Sequence, residues 1–364
     1  ASTTHPDHPS MKTLLNTAPL ALLLAAAAPA ATDVRVVVTG VVERNDFVSG
    51  TFAGVPAGAP VTMTINLDST NFLDSPSLPG RTRGYRFFPE NFSLSIGSVT
   101  TSLRTSPVPP AYFVLRNNDP RADGFFISQG TDIDTHIPLL MTPNNYGIAF
   151  LRTFNINTPA PLPDNTLTSV NLLDAVGSWG FENLSVYNFN IEVGEFSTPL
   201  IMEYRTITIT HCASIAEDPQ PATSCRGGSA TFSATAAGSG SVSYTWQCEH
   251  PAGNWFDLDE GANAGLGTAT GIHTPTLTLT DIAAAGNFNV RVHVANACGN
   301  ELSLPAALTL CIGDADCDAD TDSDDIVAFF SAWDNGDALG DADADGDTDS
   351  DDIIAFFGAW DSGC

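Results

Sequence analysis

The last fifty residues of the chain contain one acidic pattern twice. The stretch DADCDADTDSDDIVAFFSAW begins at Asp314, and DADADGDTDSDDIIAFFGAW begins at Asp341. Residues 312–364 hold 17 aspartates and no lysine or arginine. These carboxylates repel one another and gain nothing from the apolar residues beside them. The segment therefore needs positive charge that its own side chains do not supply.

Each repeat places aspartate at positions 1, 3, 5, 9 and 12 of a twelve-residue loop. With this spacing an EF-hand-like loop wraps oxygen ligands around one Ca²⁺, and position 7 adds its backbone carbonyl. Gly346 fills position 6 of the second loop, where a sharp turn favours glycine, whereas the first loop has Ala319 there. The sequence predicts two Ca²⁺ sites, the first of them weaker. The predicted ligands are Asp314, Asp316, Asp318, Asp320, Asp322 and Asp325, then Asp341, Asp343, Asp345, Asp347, Asp349 and Asp352.

Apolar residues follow each loop at i, i+3, i+4 and i+7, which is one face of a helix. They are Ile326, Phe329, Phe330 and Trp333, then Ile353, Phe356, Phe357 and Trp360. The pattern predicts two loop–helix units whose aromatic faces pack on each other. A solvated tail is the commonest fate of an acidic run. Such a tail has no reason to repeat five ligand positions and an amphipathic helix in register.

Two loop–helix units without a preceding helix resemble a dockerin, the calcium-folded module that binds cohesin domains. The resemblance covers residues 314–364, and the ending SGC resembles GC-type dockerins, which are thought to anchor or sort exported bacterial proteins. It implies a cohesin-like or other cell-envelope protein partner, contacted through loop positions 10 and 11. Both repeats have the same pair there, so either repeat could face the partner by a pseudo-two-fold rotation. The pairs are Ser323 with Asp324, and Ser350 with Asp351.

Residues 31–211 predict an N-terminal β-sandwich. Residues 61–68, VTMTINLD, alternate apolar and polar side chains, the mark of a strand with one buried face. Clusters of proline, glycine and asparagine separate several such stretches, and no stretch has a convincing helical period. The fold class that follows is mainly β, with two sandwiches and a small α C-terminal module.

Residues 212–311 resemble bacterial immunoglobulin-like (Ig-like) modules, with strands B, C, E, F and G in order. The resemblance makes Trp246 the core tryptophan of strand C. It also places Ala234 and Val290 at the usual disulfide positions, so the inter-sheet disulfide is absent. We therefore expect Cys225, Cys248 and Cys298 to pair elsewhere.

The N-terminal residues predict export. Residues 1–10 read as an upstream extension, and residues 11–30 as a signal peptide that begins at Met11 and ends in Ala-Pro-Ala. All seven cysteines lie between Cys212 and Cys364, and in an exported protein they predict disulfides with at least one thiol left over. Cys364 is the candidate for that thiol and for a tether to another molecule. An internal disulfide from Cys317 to Cys364 is the alternative.

A net charge of −29, with Lys12 as the only lysine, argues against binding to nucleic acid or to anionic membranes. No segment after the predicted signal peptide is long and apolar enough to predict insertion into a membrane. No HExxH, GxSxG, CxxC or glycine-rich phosphate motif is present. The sequence predicts a secreted or cell-surface, non-enzymatic protein that is attached through its C-terminal module and displays its sandwiches. The alternative is a polysaccharide-binding or polysaccharide-degrading protein, with Trp179 or Tyr85 stacking on sugars, or with Glu182 and Glu192 as an acid pair.

Overall fold

A computed structural model describes residues 32–105, 110–119, 122–132, 137–140, 149–153, 167–180, 188–193, 199–249, 253–263, 266–282 and 286–363. The predicted upstream extension and signal peptide lie outside these residues, and so does Cys364. The described chain is mainly β and ends in two α-helices, which confirms the predicted fold class. Among the described residues, no helix has the length and hydrophobicity needed to cross a membrane.

The N-terminal sandwich packs a nine-stranded sheet and a four-stranded sheet around one apolar cluster. Its strands are β1 Val34–Asn45, β2 Pro60–Leu67, β3 Phe72–Asp74, β4 Thr82–Arg86, β5 Phe92–Ile96, β6 Val99–Thr101, β7 Tyr112–Asp119, β8 Ala122–Ser128, β9 Ile137–Pro138, β10 Ala149–Thr153, β11 Gly177–Gly180, β12 Asn188–Val193 and β13 Leu200–His211. The four-stranded sheet runs β3-β4-β7-β8, and β1 pairs antiparallel with both β2 and β13 in the larger one. Val61, Met63, Ile65 and Leu67 are all buried in β2, so the alternation predicted there is confirmed.

The Ig-like sandwich follows directly and has its own apolar cluster. Its strands are β14 Ser214–Glu217, β15 Ala222–Cys225, β16 Ala230–Ser233, β17 Thr235–Ala237, β18 Ser243–Glu249, β19 Trp255–Asp257, β20 Gly261–Asn263, β21 Gly267–Thr270, β22 Thr276–Thr280, β23 Phe288–Ala295, β24 Asn300–Leu302 and β25 Ala306–Cys311. Strands β16 and β22 pair as B and E, and β18, β23 and β25 pair as C, F and G. Trp246 is fully buried, and its indole nitrogen donates to the Thr274 carbonyl at 2.9 Å. The predicted strand order and core tryptophan are confirmed.

The disulfides differ in part from the sequence prediction. Cys212 pairs with Cys298, Cys225 pairs with Cys317, and Cys311 is also disulfide-bonded. The expectation that Cys248 pairs was wrong, because it is a free and buried thiol whose pKa burial raises to about 12. Because Cys317 is bonded to Cys225, the alternative prediction of a Cys317–Cys364 disulfide was wrong too. Cys364 was the predicted candidate for the thiol left over, but the free thiol among the described residues is Cys248. The predicted role of Cys364 as a tether lies outside the described residues.

The C-terminal module, residues 312–363, contains helices α1 Ser323–Asn335 and α2 Ser350–Ser362. Their aromatic faces pack together as the helical spacing predicts. The rings of Phe329 and Phe356 stack with centroids 4.2 Å apart and planes 2° from parallel, and both side chains are almost completely buried. This stacked pair is the centre of a small core that joins the two repeats.

We expect Phe329→Ala or Phe356→Ala to lower the free energy of unfolding of the C-terminal module by about 3–5 kcal/mol, because each leaves a cavity in a small core. Val327→Ala and Ile354→Ala are matched controls, since these side chains are 69% and 71% exposed, and should change it by about 0.5 kcal/mol or less. Amide hydrogen exchange of residues 312–363 within the full chain, at saturating calcium, measures this local free energy. Equal losses for buried and exposed positions would contradict the packing.

Candidate metal centre

Aspartates fix the start of both helices. Asp322 is the N-cap of α1 and accepts from the Asp324 backbone N–H at 2.7 Å, and Asp325 accepts from the Asp322 N–H at 2.7 Å. Asp349 and Asp352 form the same reciprocal pair at α2. Such capping boxes satisfy backbone donors that a helix terminus leaves free, and carboxylates suit the positive end of the helix dipole. Loop positions 9 and 12 are thereby oriented by the helices themselves.

The carboxylate at position 12 also holds the start of its loop. Asp325 is 1% exposed, and its other oxygen accepts from the backbone N–H groups of Ala315 and Asp316 at 2.7 and 3.2 Å. Asp352, also 1% exposed, accepts from the Asp343 N–H at 3.2 Å. One buried aspartate therefore joins the beginning and the end of each twelve-residue loop. The ligand spacing in the sequence did not reveal this second role.

Most of the predicted ligands converge in four groups of three. In each group, carboxylate oxygens from the three residues lie within 4.8 Å of one another, and position 12 belongs to both groups of its loop. The groups are Asp314, Asp316 and Asp325; Asp320, Asp322 and Asp325; Asp341, Asp343 and Asp352; and Asp347, Asp349 and Asp352. Position 7 was predicted to offer its backbone carbonyl, but here its side chain also joins a group.

Position 5 is the predicted ligand that these groups do not include. The Asp318 carboxylate instead accepts from the Asp320 backbone N–H at 3.1 Å. The Asp345 carboxylate accepts from the Asp347 N–H at 3.2 Å in the same way. Both side chains are exposed, and each of these hydrogen bonds stays within a single loop. Their role as ligands stays a prediction.

Desolvation and neighbouring charges raise the pKa of four carboxyl groups in the loops. Desolvation in the loop is the largest cause that raises the pKa of Asp316 and of Asp343. The charge at position 5 of the same loop is the largest cause that raises the pKa of Asp320 and of Asp347. An acid with a raised folded-state pKa contributes stability at low pH that is lost as pH rises through that pKa. Without a cation, these groups oppose the loop fold near neutral pH.

The donor set fits a calcium ion. Every converging side chain offers carboxylate oxygen, the ligand type of hard divalent cations. Asp341 Oδ1 is buried and has no hydrogen-bond partner among the described residues. A buried carboxylate oxygen without a partner is costly, and a cation held by Asp341, Asp343 and Asp352 would satisfy it.

Both loops require left-handed backbone at two positions. Ala319 has φ +76° and Gly346 has φ +102° at position 6, as the sequence predicts. Position 4 is left-handed as well, with φ +63° at Cys317 and +61° at Ala344, and the sequence did not predict this. Residues with a Cβ adopt this region at a cost of about 1–2 kcal/mol. The first loop carries that cost twice and the second loop once.

We expect Ala319→Gly to tighten Ca²⁺ binding at the first loop about tenfold, because glycine removes roughly 1–2 kcal/mol of backbone strain that binding otherwise has to overcome. Gly346→Ala should weaken the second loop by a similar factor. No atom lies within 4 Å of the Cβ that this change adds, so only the backbone conformation is tested. Calorimetric titration of the full chain measures both affinities. Two equal wild-type sites, or no effect of Ala319→Gly, would contradict the prediction.

The predicted partner-binding residues are exposed on the first turns of the two helices. They are Ser323 and Asp324 on α1, and Ser350 and Asp351 on α2. Val327 and Ile354 lie one turn further along and expose 69% and 71% of their surface. The helical period places these two apolar residues outside the packed face, although they were not among the residues predicted to contact a partner.

The two repeats are joined by a reciprocal pair of hydrogen bonds. The Trp333 indole nitrogen of α1 donates to the Asp349 carbonyl in the second loop at 2.9 Å. The Trp360 indole nitrogen of α2 donates to the Asp322 carbonyl in the first loop at 2.8 Å. Each helix therefore stabilises the loop of the other repeat, as a pseudo-two-fold arrangement requires.

The residues considered for sugar binding do not form a site in the described structure. Tyr85 is fully buried, and its hydroxyl donates to the Val170 carbonyl and accepts from the Leu172 N–H, both at 2.8 Å. The suggestion that Tyr85 stacks on a sugar was therefore wrong. Trp179 is half-buried and packs edge-on against Phe125 in the core. Glu182 and the side chain of Glu192 lie outside the described residues.

Comparison with known proteins identifies no family. No family model and no curated protein matches the chain. Among solved structures, a chimeric titin functionalized with a peptide from decorin is 19% identical, and the match covers 28% of this chain and 95% of that chain with a TM-score of 0.22. The extracellular domains 3–5 of Drosophila OTK are 10% identical over 77% of this chain and 86% of that chain, with a TM-score of 0.30. The Ig-like fold described above rests on its own strand pairing.

Proposed function

We propose that the C-terminal module is a calcium-folded, dockerin-like attachment module for a secreted or cell-surface, non-enzymatic protein. The observation that carries the proposal is the convergence of carboxylates, twice and in matching positions, around the buried Asp325 and Asp352. Two Ca²⁺ ions would neutralise part of the charge that the module's own side chains leave unbalanced. The two sandwiches are then the displayed part, available for interaction with other proteins.

Export is supported by the pairing of cysteines. Cys212–Cys298 and Cys225–Cys317 join residues far apart in sequence, and disulfides of this kind persist in oxidising compartments. The predicted signal peptide agrees with this interpretation. A protein partner from the cell envelope, of the cohesin-like class, would bind the exposed start of α1 or α2. No geometry among the described residues favours the polysaccharide alternative, which a glycan array with the full chain would test.

We expect the module to lose its structure when calcium is removed. Fifty residues with two short helices bury little surface, and the carboxylates repel one another, so cation binding becomes folding free energy. In the full chain, chelation should remove hydrogen-exchange protection from residues 323–335 and 350–362. Strands β1 and β23 should keep their protection and serve as internal controls. Protected helices in excess chelator would contradict calcium-coupled folding.

Partner binding should survive the loss of either exposed pair and fail only when both are lost. The double variants Ser323→Ala/Asp324→Ala and Ser350→Ala/Asp351→Ala should each still capture a partner from the cell envelope in calcium. Each leaves the other repeat free to face the partner by the pseudo-two-fold rotation. The quadruple variant should lose capture, at least about tenfold in affinity. Its matched control is Val48→Ala, a change at a side chain that is 90% exposed on the N-terminal sandwich.

Capture by the quadruple variant at wild-type affinity would contradict the proposed surface. Capture that is unaffected by chelation would contradict the calcium dependence. Loss of binding with one pair alone would show that only that repeat faces the partner. The calcium affinity of each variant is measured as well, because a variant that no longer folds would also lose calcium binding.

A further inference from the structure

One turn of the Ig-like sandwich contacts both acidic loops. This anchoring turn, residues 225–228, connects β15 to β16 and is held by backbone hydrogen bonds with Ile282. Strand β15 runs parallel to β25, with Cys225 opposite Cys311, and the first loop begins three residues after β25 ends. The sheet therefore brings the anchoring turn next to the start of the C-terminal module.

The contact with the first loop is covalent. Cys225 forms a disulfide with Cys317, which occupies position 4 of the loop and has left-handed backbone. A cavity of about 510 Å³ lies beside this bond, lined from the sandwich by Ser224 and Ser229 and from the loop by Asp314 and Ala319. The disulfide therefore ties the first loop to the sandwich beside an open space.

The contact with the second loop is polar. The Arg226 guanidinium donates through Nη1 to the carbonyls of Asp341 and of Ala338, the latter at 3.2 Å. Gly227 in the same turn has φ +77°, and a Cβ added there would lie 3.3 Å from the Leu339 side chain. Arg226 thus brings a positive charge to the entrance of a loop whose own segment has none. Asp341 is position 1 of that loop, the residue with the buried, unpaired oxygen.

We propose that the anchoring turn is part of the metal centre: Cys225 positions the first loop and Arg226 positions the second, and each raises the Ca²⁺ affinity of the loop it holds. The proposal rests on the proposed calcium binding. A flexible loop loses conformational freedom when it wraps an ion, and fixing one residue costs roughly 1–2 kcal/mol. A loop already held at position 4 or at position 1 loses less, so its affinity is higher.

The test separates the two loops within the full chain. Asp343→Ala removes Ca²⁺ binding by the second loop, so that only the first loop is titrated. Asp316→Ala removes binding by the first loop, so that only the second is titrated. Removing the disulfide with Cys225→Ala/Cys317→Ala should weaken the first loop about tenfold and leave the second unchanged. Alanine is a suitable replacement for Cys317, because Ala344 already occupies position 4 of the second loop with nearly the same φ.

Arg226→Gln should give the opposite result, a second loop weakened about tenfold and an unchanged first loop. Arg226→Lys keeps a positive donor and should restore part of the loss. The control Cys212→Ala/Cys298→Ala removes a disulfide that ties the N-terminal sandwich to the loop between β23 and β24, and should affect neither site. This crossed pattern distinguishes positioning from general destabilisation, which would weaken both loops together.

Equal weakening of both loops by either variant, or no weakening, would overturn the proposal while leaving calcium binding intact. Absence of Ca²⁺ binding by the wild-type chain would overturn the proposed function and this proposal with it. If the cysteine variant does not fold, the Arg226 variants still decide the outcome for the second loop, because they keep every disulfide.

Discussion

The repulsion among carboxylates in residues 312–363 is the constraint on which the rest of the C-terminal structure depends. Asp325 and Asp352 are buried, and each completes the capping box of a helix while holding the start of its loop. Backbone N–H groups satisfy part of their charge, but four neighbouring carboxyl groups still have raised pKa values. Positive charge in the loops would relieve this repulsion, which is why we propose that helix, loop and aromatic core form together with bound calcium.

Local patterns predicted the parts of this structure that local forces determine. The period of 3.6 residues placed Phe329 and Phe356 on the packed faces, and the period of two placed Val61 and Ile65 in the sheet core. Loop spacing predicted the aspartates that converge, although Asp318 and Asp345 at position 5 do not join them, and the glycine preference at position 6 predicted the left-handed backbone of Ala319. In each case the pattern itself lies within about a dozen consecutive residues, so the chemistry of the segment decides which side chains face inward or converge, although their packing partners are more distant.

Contacts between distant segments could not be predicted in this way. Spacing does not decide which cysteine meets Cys317, because the pairing with Cys225 follows from the parallel alignment of β15 with β25. Cys248 was expected to pair, yet it faces the sandwich core, where no second cysteine is available among the described residues. The contact of Arg226 with the second loop is likewise set by the fold of a different part of the chain.

The same distant contacts connect the three parts in series. The Cys212–Cys298 bond ties the end of the N-terminal sandwich to the loop between β23 and β24, and Arg35 in β1 donates to the Ala297 carbonyl of that loop at 3.2 Å. The Cys225–Cys317 bond then ties the Ig-like sandwich to the first acidic loop. If the C-terminal module is the point of attachment, a load on the displayed sandwiches reaches it through covalent bonds at both junctions. Attachment would then fail by loss of calcium from the module rather than by separation of the domains.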